Sequence, residues 1–459
     1  MNSHNFNNSI IRAYDIRGIY NETLFDKDAY YVGKSFAAFL KSQNLSSIAV
    51  ACDGRMSSPA LKSELIKGLI DSGINVFDVG LGPTPMLYFS VYDLNLDAGI
   101  MVTGSHNPKN HNGFKMMLKS RPFFGEDISN LAKIAAKGEF VEGSGTIENK
   151  EIKKNYVSRL IKDLTIKKEL KVAWDNGNGA AGEIMQELVK IIPGEHKTLF
   201  ADIDGTFPNH HPDPTVPKNL EDIIKLVREE KCDLGIAFDG DGDRIGLVDD
   251  EGEIIWGDQL MVFFSKQLLE EYPGATVIAD VKASKVFFDE VNKMGGNALM
   301  GKTGHSLIKS KMKETNAKLA GEMSGHIFFA DKYYGFDDAL YAAIRIINIV
   351  SNLEGQKLSD LRKALPETFS TPEIRIEISE EIKFQTVEDL KKKLKDESID
   401  FNDVDGVRAD SDLGWWLLRA SNTQSCLVAR CEANSEEDLS SLKKILKENL
   451  NALGVKVDL

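Results

Sequence analysis

The sequence predicts three similar α/β domains with mixed sheets, followed by a smaller C-terminal α+β domain, around a central cleft. Two observations lead to this fold class. Three segments repeat one order of a buried strand ending in aspartate, a turn of small residues and an amphipathic helix. The last part of the chain departs from that order, and 459 residues are enough for three or four domains of ordinary size.

The repeated segments support the first three domains. Their strands and the helices predicted after them lie at 48–53 and 59–72, 171–175 and 182–191, and 276–280 and 285–294. A second strand in each unit leads into a polar loop that contains glycine, and these strands lie at 97–102, 233–238 and 317–320. Because α/β sheets place ligands beyond strand ends, we expect the three loops to meet in the cleft.

The final domain is predicted from a different succession of elements. Strands are expected at 374–378 and 415–433, and helices at 385–395 and 435–450. Short linkers separate the units. The predicted domains therefore span residues 1–150, 151–253, 254–366 and 367–459.

Composition and charge exclude several classes of function. The net charge is −14, which argues against general binding of nucleic acid or an acidic membrane but not against an anionic small substrate in a cleft with a few cations. No apolar stretch approaches a membrane span, and residues 1–9 lack the pattern of a signal peptide. The four cysteines (52, 232, 426 and 431) have no CxxC spacing, so a reduced, cytoplasmic protein is expected.

Ser105 is the first candidate functional residue. It lies between Gly104 and His106 after the apolar run 98–102, so its side chain is expected at a strand-to-loop turn. Gly104 allows the backbone angles of such a turn, and Pro108 prevents a strand or helix from continuing. A serine displayed in this way is a candidate nucleophile or phosphate carrier, although the pattern alone favours a simple turn serine.

A second candidate site is a loop that places Asp239, Asp241 and Asp243 at alternate positions with glycines between them. This spacing can direct three hard oxygen ligands to one Mg²⁺ or Ca²⁺ ion. An EF-hand does not fit, because Arg244 and Asp250 stand where its glycine and glutamate belong and strands are predicted on both sides. An acidic surface turn is the other alternative, but three carboxylates this close repel each other unless a cation holds them.

Two further loops carry polar side chains. In 321–326, Glu322 and Ser324 suit sugar hydroxyls and His326 suits proton transfer, although an ordinary polar connection fits as well. The segment 419–423 is a candidate phosphate-binding loop. Its residues are Arg419, Ala420, Ser421, Asn422 and Thr423. A hairpin turn with a solvated arginine is the alternative interpretation.

One motif is misleading. The segment 296–303 matches the nucleotide-binding P-loop pattern letter for letter. A true P-loop follows a strand, whereas here the helix 285–294 comes first and 298–300 has the character of the strand itself. An NTPase is therefore not predicted.

Six motifs in a fixed order, spread over essentially the whole chain, resemble the α-D-phosphohexomutase family. They are RAYDIRG at 12–18, TGSHNP at 103–108, DGDGDR at 239–244, GKTGHS at 301–306, GEMSGH at 321–326 and RASNT at 419–423. The details are most similar to the bacterial phosphomannomutase/phosphoglucomutase branch, since phosphoglucosamine mutases typically carry GEQSGH and SGTE. One departure is Gln424-Ser425, where relatives often place proline.

The resemblance implies reversible phosphoryl transfer that interconverts hexose 1-phosphate and hexose 6-phosphate, of mannose, glucose or both. Ser105 would be carried as phosphoserine and would hold Mg²⁺ together with Asp239, Asp241 and Asp243. A 1,6-bisphosphate intermediate would form, turn round in the cleft and return its other phosphate to Ser105. Glucose 1,6-bisphosphate is the implied activator.

The resemblance also implies roles for the remaining residues. Lys115 and His326 would carry the protons, with the roles of general acid and general base open between them. Arg17 would stabilise charge, and His106 and Arg244 would support the site. The implied substrate-binding residues are Tyr14, Lys282, His305, Glu322, Ser324, Arg419, Ser421, Asn422 and Thr423.

Alternatives remain open on the sequence. They are a phosphoglucosamine mutase and a metal-dependent phosphatase that loses the phosphate of Ser105 to water. A nonenzymatic calcium or sugar-phosphate sensor would require that Ser105 is never phosphorylated. The sugar preference, the pathway and the oligomeric state do not follow from the sequence.

Overall fold

Residues 3–422 and 424–457 are described by the computed structural model, and they form four β-sheets with flanking helices. Three sheets are mixed and one is antiparallel. This confirms the predicted fold class of three similar α/β units and a smaller C-terminal α+β unit.

The first unit is built on a six-stranded sheet. Its strands are β1 (Ile16–Ile19), β2 (Ser47–Cys52), β3 (Asn75–Leu81), β4 (Ala98–Val102), β5 (His111–Leu118) and β6 (Ile147–Asn149). Its helices are α1 (Asp26–Ser42), α2 (Ser58–Ile70), α3 (Thr84–Asp93) and α4 (Glu126–Lys137). Proline in the first turn of α2 suits a helix start, and the helix predicted at 59–72 is confirmed within two residues.

The second unit is built on a five-stranded sheet. Its strands are β7 (Leu170–Asp175), β8 (Gly194–Leu199), β9 (Leu234–Phe238), β10 (Ile245–Asp249) and β11 (Ile254–Ile255). Its helices are α5 (Lys153–Ile161), α6 (Gly182–Ile191) and α7 (Glu221–Glu230). Strands β9 and β10 flank the aspartate loop, as expected when an EF-hand was excluded.

The third unit is built on a four-stranded sheet. Its strands are β12 (Thr276–Asp280), β13 (Asn297–Gly301), β14 (Leu319–Gly321) and β15 (Ile327–Phe329). Its helices are α8 (Gly257–Glu271), α9 (Lys285–Lys293), α10 (His305–Thr315), α11 (Ala339–Ser351) and α12 (Leu358–Lys363). The segment 296–303, which matches the P-loop pattern, contains strand β13, so the prediction that it does not form a P-loop is confirmed.

The fourth unit carries an antiparallel sheet. Its strands are β16 (Phe369–Ser370), β17 (Ile374–Glu377), β18 (Val407–Ser411), β19 (Gly414–Ala420) and β20 (Cys426–Ala433), and its helices are α13 (Lys383–Asp396) and α14 (Glu436–Ala452). One face of β19 packs Trp416 and Leu418 under the helices. The other face packs Trp415 and Leu417 against Val281 of the third unit.

The three mixed sheets share one topology, which explains the sequence repeat. Each contains three parallel strands in the orders β3-β2-β4, β8-β7-β9 and β13-β12-β14, and a fourth strand returns antiparallel beside the last. The returning strands are β5, β10 and β15. The loops that enter them are therefore at equivalent ends of the three sheets, and they carry Ser105, the aspartates and Glu322.

No helix in the described part of the chain is long and apolar enough to cross a membrane. The four cysteines are all buried and unpaired, as the sequence predicted.

Candidate functional site

Ser105 lies at the end of β4 in a left-handed backbone conformation, with φ of 49°. Only 2% of the residue is exposed. Its Oγ donates to Oδ2 of Asp239 across 3.1 Å and lies 3.1 Å from Nδ1 of His106. A non-glycine residue with positive φ is uncommon outside positions that the surroundings enforce, so the loop is held in place by its neighbours.

Arg55 supplies much of that restraint. Its guanidinium is almost fully buried and donates to four carbonyl oxygens of the serine loop, at 2.6 Å for Ser105, Asn107 and Pro108 and at 3.0 Å for His111. Charge-assisted bonds of this kind are stronger than neutral ones. Sequence analysis missed this residue, although it stands directly after the first repeated strand.

Asp53 restrains the same loop from the end of β2. Its Oδ2 accepts from Oγ1 of Thr103 at 2.8 Å and from the backbone of Gly104 at 3.1 Å. Asp280 does the same at the end of β12, where it accepts from the Thr303 hydroxyl and the Met323 backbone. The aspartate that ends each of these two repeated strands thus anchors a functional loop, a role that the sequence pattern contained but did not reveal.

Asp239, Asp241 and Asp243 form a fully buried cluster whose ligand oxygens lie within 4.8 Å of one another. Among the described residues, one oxygen of Asp241 and one of Asp243 (Oδ1 in both) have no hydrogen-bond partner. Burial and the two neighbouring carboxylates raise the pKa of Asp239 well above its usual range. Unpartnered hard oxygens in a charged cluster fit a divalent cation, so these residues can hold a metal.

Gly240 brings the aspartate loop onto the serine loop. A Cβ at this position would lie only 2.4 Å from the carbonyl oxygen of Ser105. Any side chain would therefore push the two loops apart, and glycine is required for the contact between the first and second units.

Lys115 lies on β5 and is 4% exposed. Its ammonium donates to Oδ2 of Asp241 across 2.7 Å and also to Oδ2 of Asp243. Burial alone would lower the pKa of Lys115, but the two carboxylates outweigh it and raise that pKa above its ordinary value. The lysine is thus a charged partner of the aspartate cluster, and the carboxylates hold its proton tightly in this geometry.

His326 connects the sugar loop to the aspartate loop. Its Nε2 lies 3.0 Å from Nε of Arg244, which can only donate, so Nε2 is unprotonated and the ring proton is on Nδ1. Nδ1 faces the backbone oxygen of Asp243 at 3.2 Å and the carboxylate of Asp337 at 3.4 Å. Both ring nitrogens are therefore engaged.

His305 stacks on His326, with ring centroids 5.7 Å apart. Burial and the nearby charge of Lys309 lower the pKa of His305 to about 4. Asp337 faces both rings, and its Oδ1 accepts from Lys309 across 2.9 Å. Asp337 was not predicted, since neither repeat nor motif points to it.

The predicted sugar loop turns between β14 and β15. Oε1 of the buried Glu322 accepts from the backbone of Gly304 across 2.6 Å, and burial raises the pKa of this carboxyl. Ser324 is half-buried in the same turn. Lys282 lies 3.1 Å from Glu373, so it links the third unit to the fourth.

The predicted phosphate loop connects β19 and β20. Arg419 is 5% exposed, and its Nε donates to Asp405 across 2.9 Å, the one carboxylate that it pairs with in the described part of the chain. Ser421 accepts from the backbone of Gln424 at 3.1 Å. Thr423 lies outside the described residues.

Tyr14 joins three units at one point. Its hydroxyl donates to the carbonyl of Thr303 at 2.9 Å and accepts from the amide of Asn422 at 2.5 Å. Arg17, on the neighbouring β1, pairs with Asp15 and donates to Asn107 beside the serine loop. The structure thus brings the predicted residues of all four units to one region.

Four family models match consecutive parts of the chain. Phosphoglucomutase/phosphomannomutase alpha/beta/alpha domains I, II and III match residues 8–142, 154–252 and 256–369, and the C-terminal domain of that family matches residues 373–448.

Individual relatives match over nearly full length. A Pseudomonas putida phosphomannomutase/phosphoglucomutase is 44% identical, over 96% of this chain and 95% of the relative. A Neisseria meningitidis phosphoglucomutase is 41% identical, over 98% of this chain and 99% of the relative. The crystal structure of a phosphoglucomutase/phosphomannomutase family protein from Burkholderia thailandensis superposes with a TM-score of 0.93, at 39% identity and 99% coverage of both chains.

Proposed function

The chain belongs to the phosphoglucomutase/phosphomannomutase family of α-D-phosphohexomutases, and on that premise we propose that it interconverts hexose 1-phosphate and hexose 6-phosphate through a phosphoserine at Ser105. The observation that supports this most directly is the contact between Ser105 Oγ and Asp239, which joins the serine loop to the buried carboxylates. Glucose and mannose phosphates are the proposed substrates, because the similar proteins are named for them.

The first half-reaction transfers the phosphoryl group of phosphoserine to the free hydroxyl of the sugar. The P–O bond to Ser105 breaks, a P–O bond to the sugar oxygen forms, and the hydroxyl proton leaves with a base. Arg55 and Asp53 hold the serine loop rigid during this step, so the reacting oxygen stays in line with its acceptor.

Asp239, Asp241 and Asp243 are the proposed ligands of Mg²⁺. When bound, the ion would withdraw charge from the transferring phosphoryl group. Lys115 balances two of the same carboxylates, and its positive charge in this cluster would offset the negative charge that develops on Ser105 as the phosphoryl group departs.

The second half-reaction requires the 1,6-bisphosphate to turn round. Arg419, Ser421 and Asn422 form the proposed cradle for whichever phosphate is not reacting, and Glu322 and Ser324 the proposed contacts to the hydroxyls in either orientation. Thr423 was predicted to complete the cradle. Glucose 1,6-bisphosphate is the proposed activator, since it can phosphorylate a free Ser105.

Lys115 and His326 are the proposed proton carriers. Lys115 is held charged between two carboxylates, so it must leave at least one of them before it can pass its proton to an oxygen. His326 must release Arg244 before its Nε2 can accept a proton from the sugar. Arg17 is proposed to stabilise the charge that develops beside it.

The alternatives are less well supported. Neither a phosphoglucosamine mutase nor a phosphatase is favoured, because the relatives at 41–44% identity carry mutase names for glucose and mannose phosphates. A cytoplasmic location remains a prediction.

The test is a mutase assay that counts both products. The purified protein, Mg²⁺ and trace glucose 1,6-bisphosphate are mixed in parallel with mannose 1-phosphate, glucose 1-phosphate and glucosamine 1-phosphate, and the 6-phosphates and free phosphate are measured. We expect 6-phosphate from the mannose and glucose substrates without free phosphate. Free phosphate as the main product would show a hydrolase, and turnover of glucosamine 1-phosphate alone would move the enzyme to another branch.

Intact mass provides an independent test of the intermediate. The wild-type protein treated with glucose 1,6-bisphosphate should carry one phosphate adduct, and Ser105→Ala should carry none. Ser57→Ala, a neighbouring serine with 8% exposure, serves as the matched control and should keep the adduct.

A further inference from the structure

A cavity of about 370 Å³ lies between the first and third units. Helix α3 and the segment 116–122 line one side, and helix α10 and the loop 334–336 line the other. A volume of this size is in the range of small-molecule sites. None of the residues assigned to catalysis or substrate binding lines it.

The charge of this cavity, which we call the α3–α10 pocket, is opposite to that of the whole protein. Four cations line it, and no aspartate or glutamate in the described part of the chain does. They are Lys119, Arg121, Lys309 and Lys313. Arg121 pairs with Asp127 and Lys309 with Asp337, whereas Lys119 and Lys313 form no ion pair with a described residue and donate only to the Asn95 amide and the Ser120 carbonyl, so the positive charges exceed the paired carboxylates. In a protein of net charge −14, such a local excess of positive charge indicates an anionic ligand.

Aromatic rings form the apolar part of the pocket. Tyr92 and Tyr334 stack with centroids 4.8 Å apart, and Phe336 lies parallel to Tyr334 at 5.7 Å. Tyr334 is 37% exposed, so this wall is open to a ligand from solvent. Aromatic rings can pack against the flat or apolar part of a ligand, and neighbouring cations can bind its negative group.

Both helices that line the pocket start at the catalytic site. Thr84 opens α3 and donates to Oδ2 of Asp241 at 2.5 Å, and the same helix presents Tyr88 and Tyr92 to the pocket one and two turns later. Residues four apart lie on one face of a helix, so the contact with Asp241 and the pocket contacts share that face.

Helix α10 repeats this arrangement. His305 opens it beside Asp337, and Lys309 and Lys313 face the pocket one and two turns later. Lys309 lies over the Tyr88 ring at 4.6 Å and also donates to Asp337, which contacts His326. An anion that draws Lys309 into the pocket would therefore weaken the contact between Lys309 and Asp337, the carboxylate that faces His305 and His326.

We propose that the α3–α10 pocket is an effector site for a small organic anion with an aromatic or apolar body, and that its occupancy alters catalysis through helices α3 and α10. The negative group lies against Lys309 and Lys313, and the body lies against Tyr92, Tyr334 and Phe336. This inference goes beyond the mutase reaction, because the ligand is not a substrate.

The binding test uses anilinonaphthalene sulfonate, an aromatic anion whose fluorescence rises on burial. Titration of the full chain should saturate at one site. Lys313→Glu should weaken binding by about three- to tenfold, because it reverses an exposed charge at the pocket. Lys266→Glu is the matched control, since this exposed lysine of α8 lies outside the pocket and carries the same change of charge. No saturable binding, or equal weakening by both variants, would overturn the proposal.

A second variant separates the pocket from the catalytic cleft. Tyr334→Ala removes part of the aromatic wall and should also weaken binding, with a circular dichroism spectrum like that of the wild type. Arg419→Ala should bind the probe as the wild type does. Two results together would contradict the proposal: glucose 1-phosphate displaces the probe as it fills the cleft, and Tyr334→Ala leaves probe binding unchanged. They would show that the probe binds in the catalytic cleft.

The effector role is tested by kinetics at saturating probe. We expect kcat or KM to shift at least twofold in the wild type and in Lys266→Glu, and the shift to require higher probe concentrations in Lys313→Glu. Basal activity of Lys313→Glu should equal that of the wild type, since this exposed side chain touches no catalytic residue. Binding at the pocket with unchanged kinetics would refute the effector role, and the binding test itself does not depend on the mutase reaction.

Discussion

The serine and aspartate loops differ from the phosphate loop in how they are held. Ser105 and the three aspartates are buried and connected by charged groups, with Arg55 on four carbonyl oxygens and Lys115 on two carboxylates. The phosphate loop is joined to the first and third units by hydrogen bonds outside any cluster of buried charges, from Asn422 to Tyr14 and from the backbone of Thr303 to Asp405, which also pairs with Arg419.

This difference suits the two tasks of the proposed reaction. Phosphoryl transfer requires reacting groups that are already positioned and charges that are already compensated, because reorganisation during the step would raise the barrier. Reorientation of a bisphosphate requires that the other end of the substrate be released and bound again. The hydrogen bonds of the phosphate loop to other units can break without unfolding any unit, whereas breaking the buried charge contacts between the serine and aspartate loops would leave charges unpaired, so the phosphate loop is better suited to that purpose.

The largest effect is expected at the aspartate loop. Asp241→Ala removes a carboxylate of the proposed metal site and should lower kcat by roughly 10³-fold or more, because charge stabilisation by a metal accounts for several kcal/mol. Isothermal calorimetry should show weaker Mg²⁺ binding, and circular dichroism an unchanged fold. Asp400→Ala, at an exposed aspartate, is the control. A fully active Asp241→Ala protein would refute the metal assignment.

A second prediction tests whether the serine loop must be held rigid. Arg55→Lys keeps the charge but cannot reach four carbonyl oxygens, so the reacting oxygen should lose its position and kcat should fall about 10²-fold. The loss should appear in kcat more than in KM, since the substrate contacts remain. Arg228→Lys, at an exposed arginine, is the control. An unchanged kcat would mean that the loop is positioned by Asp53 and the local turn alone.

A substitution in the phosphate loop should change KM rather than kcat. Arg419→Ala removes a charge-assisted contact to the non-reacting phosphate, which is worth about 1.5–3 kcal/mol, so KM should rise about 10- to 100-fold. Arg419→Lys should fall between that variant and the wild type, because it keeps the charge without the planar fork. If KM is unchanged and only kcat falls, Arg419 does not bind the phosphate in the ground state.

The smallest effect is expected where the units meet. Tyr14→Phe removes the bonds to Thr303 and Asn422. Because Tyr14 is only partly buried, water can take over one of the two bonds, so KM should change by about two- to tenfold, as expected for the net loss of one neutral bond of about 0.5–1.5 kcal/mol. Steady-state kinetics and the thermal midpoint measure the result, with Tyr272→Phe as control. A loss as large as that of Arg55→Lys would show that the contact between units is as important to catalysis as the serine loop, and the comparison would fail.

Much of the site could be predicted from local patterns. The strand before Ser105, the strands around the aspartates and the helices at 182–191 and 285–293 lie where periodicity and turn residues placed them. The shared topology of the first three sheets follows from the repeated order of elements. The returning strand β15 was not predicted, because three residues are too short to show a period.

The residues that sequence analysis missed are those that act at a distance along the chain. Arg55 meets the backbone of Ser105, which lies 50 residues later in the chain. Asp337 joins His305 to His326 although no motif contains it. The role of such a side chain depends on the charged group that it contacts in the folded protein. That group is distant in sequence, so no local motif indicates the contact.

The sequence by itself determined the four-part fold, the family and the inventory of serine, aspartates, sugar loop and phosphate loop, because backbone preferences and hydrophobic period are local properties. Only the tertiary structure decided which charge compensates which, which histidine nitrogen carries a proton, and where a second cavity lies. Those features depend on approaches of a few ångström between distant residues, and the strength of each electrostatic contact is set by the burial that folding produces.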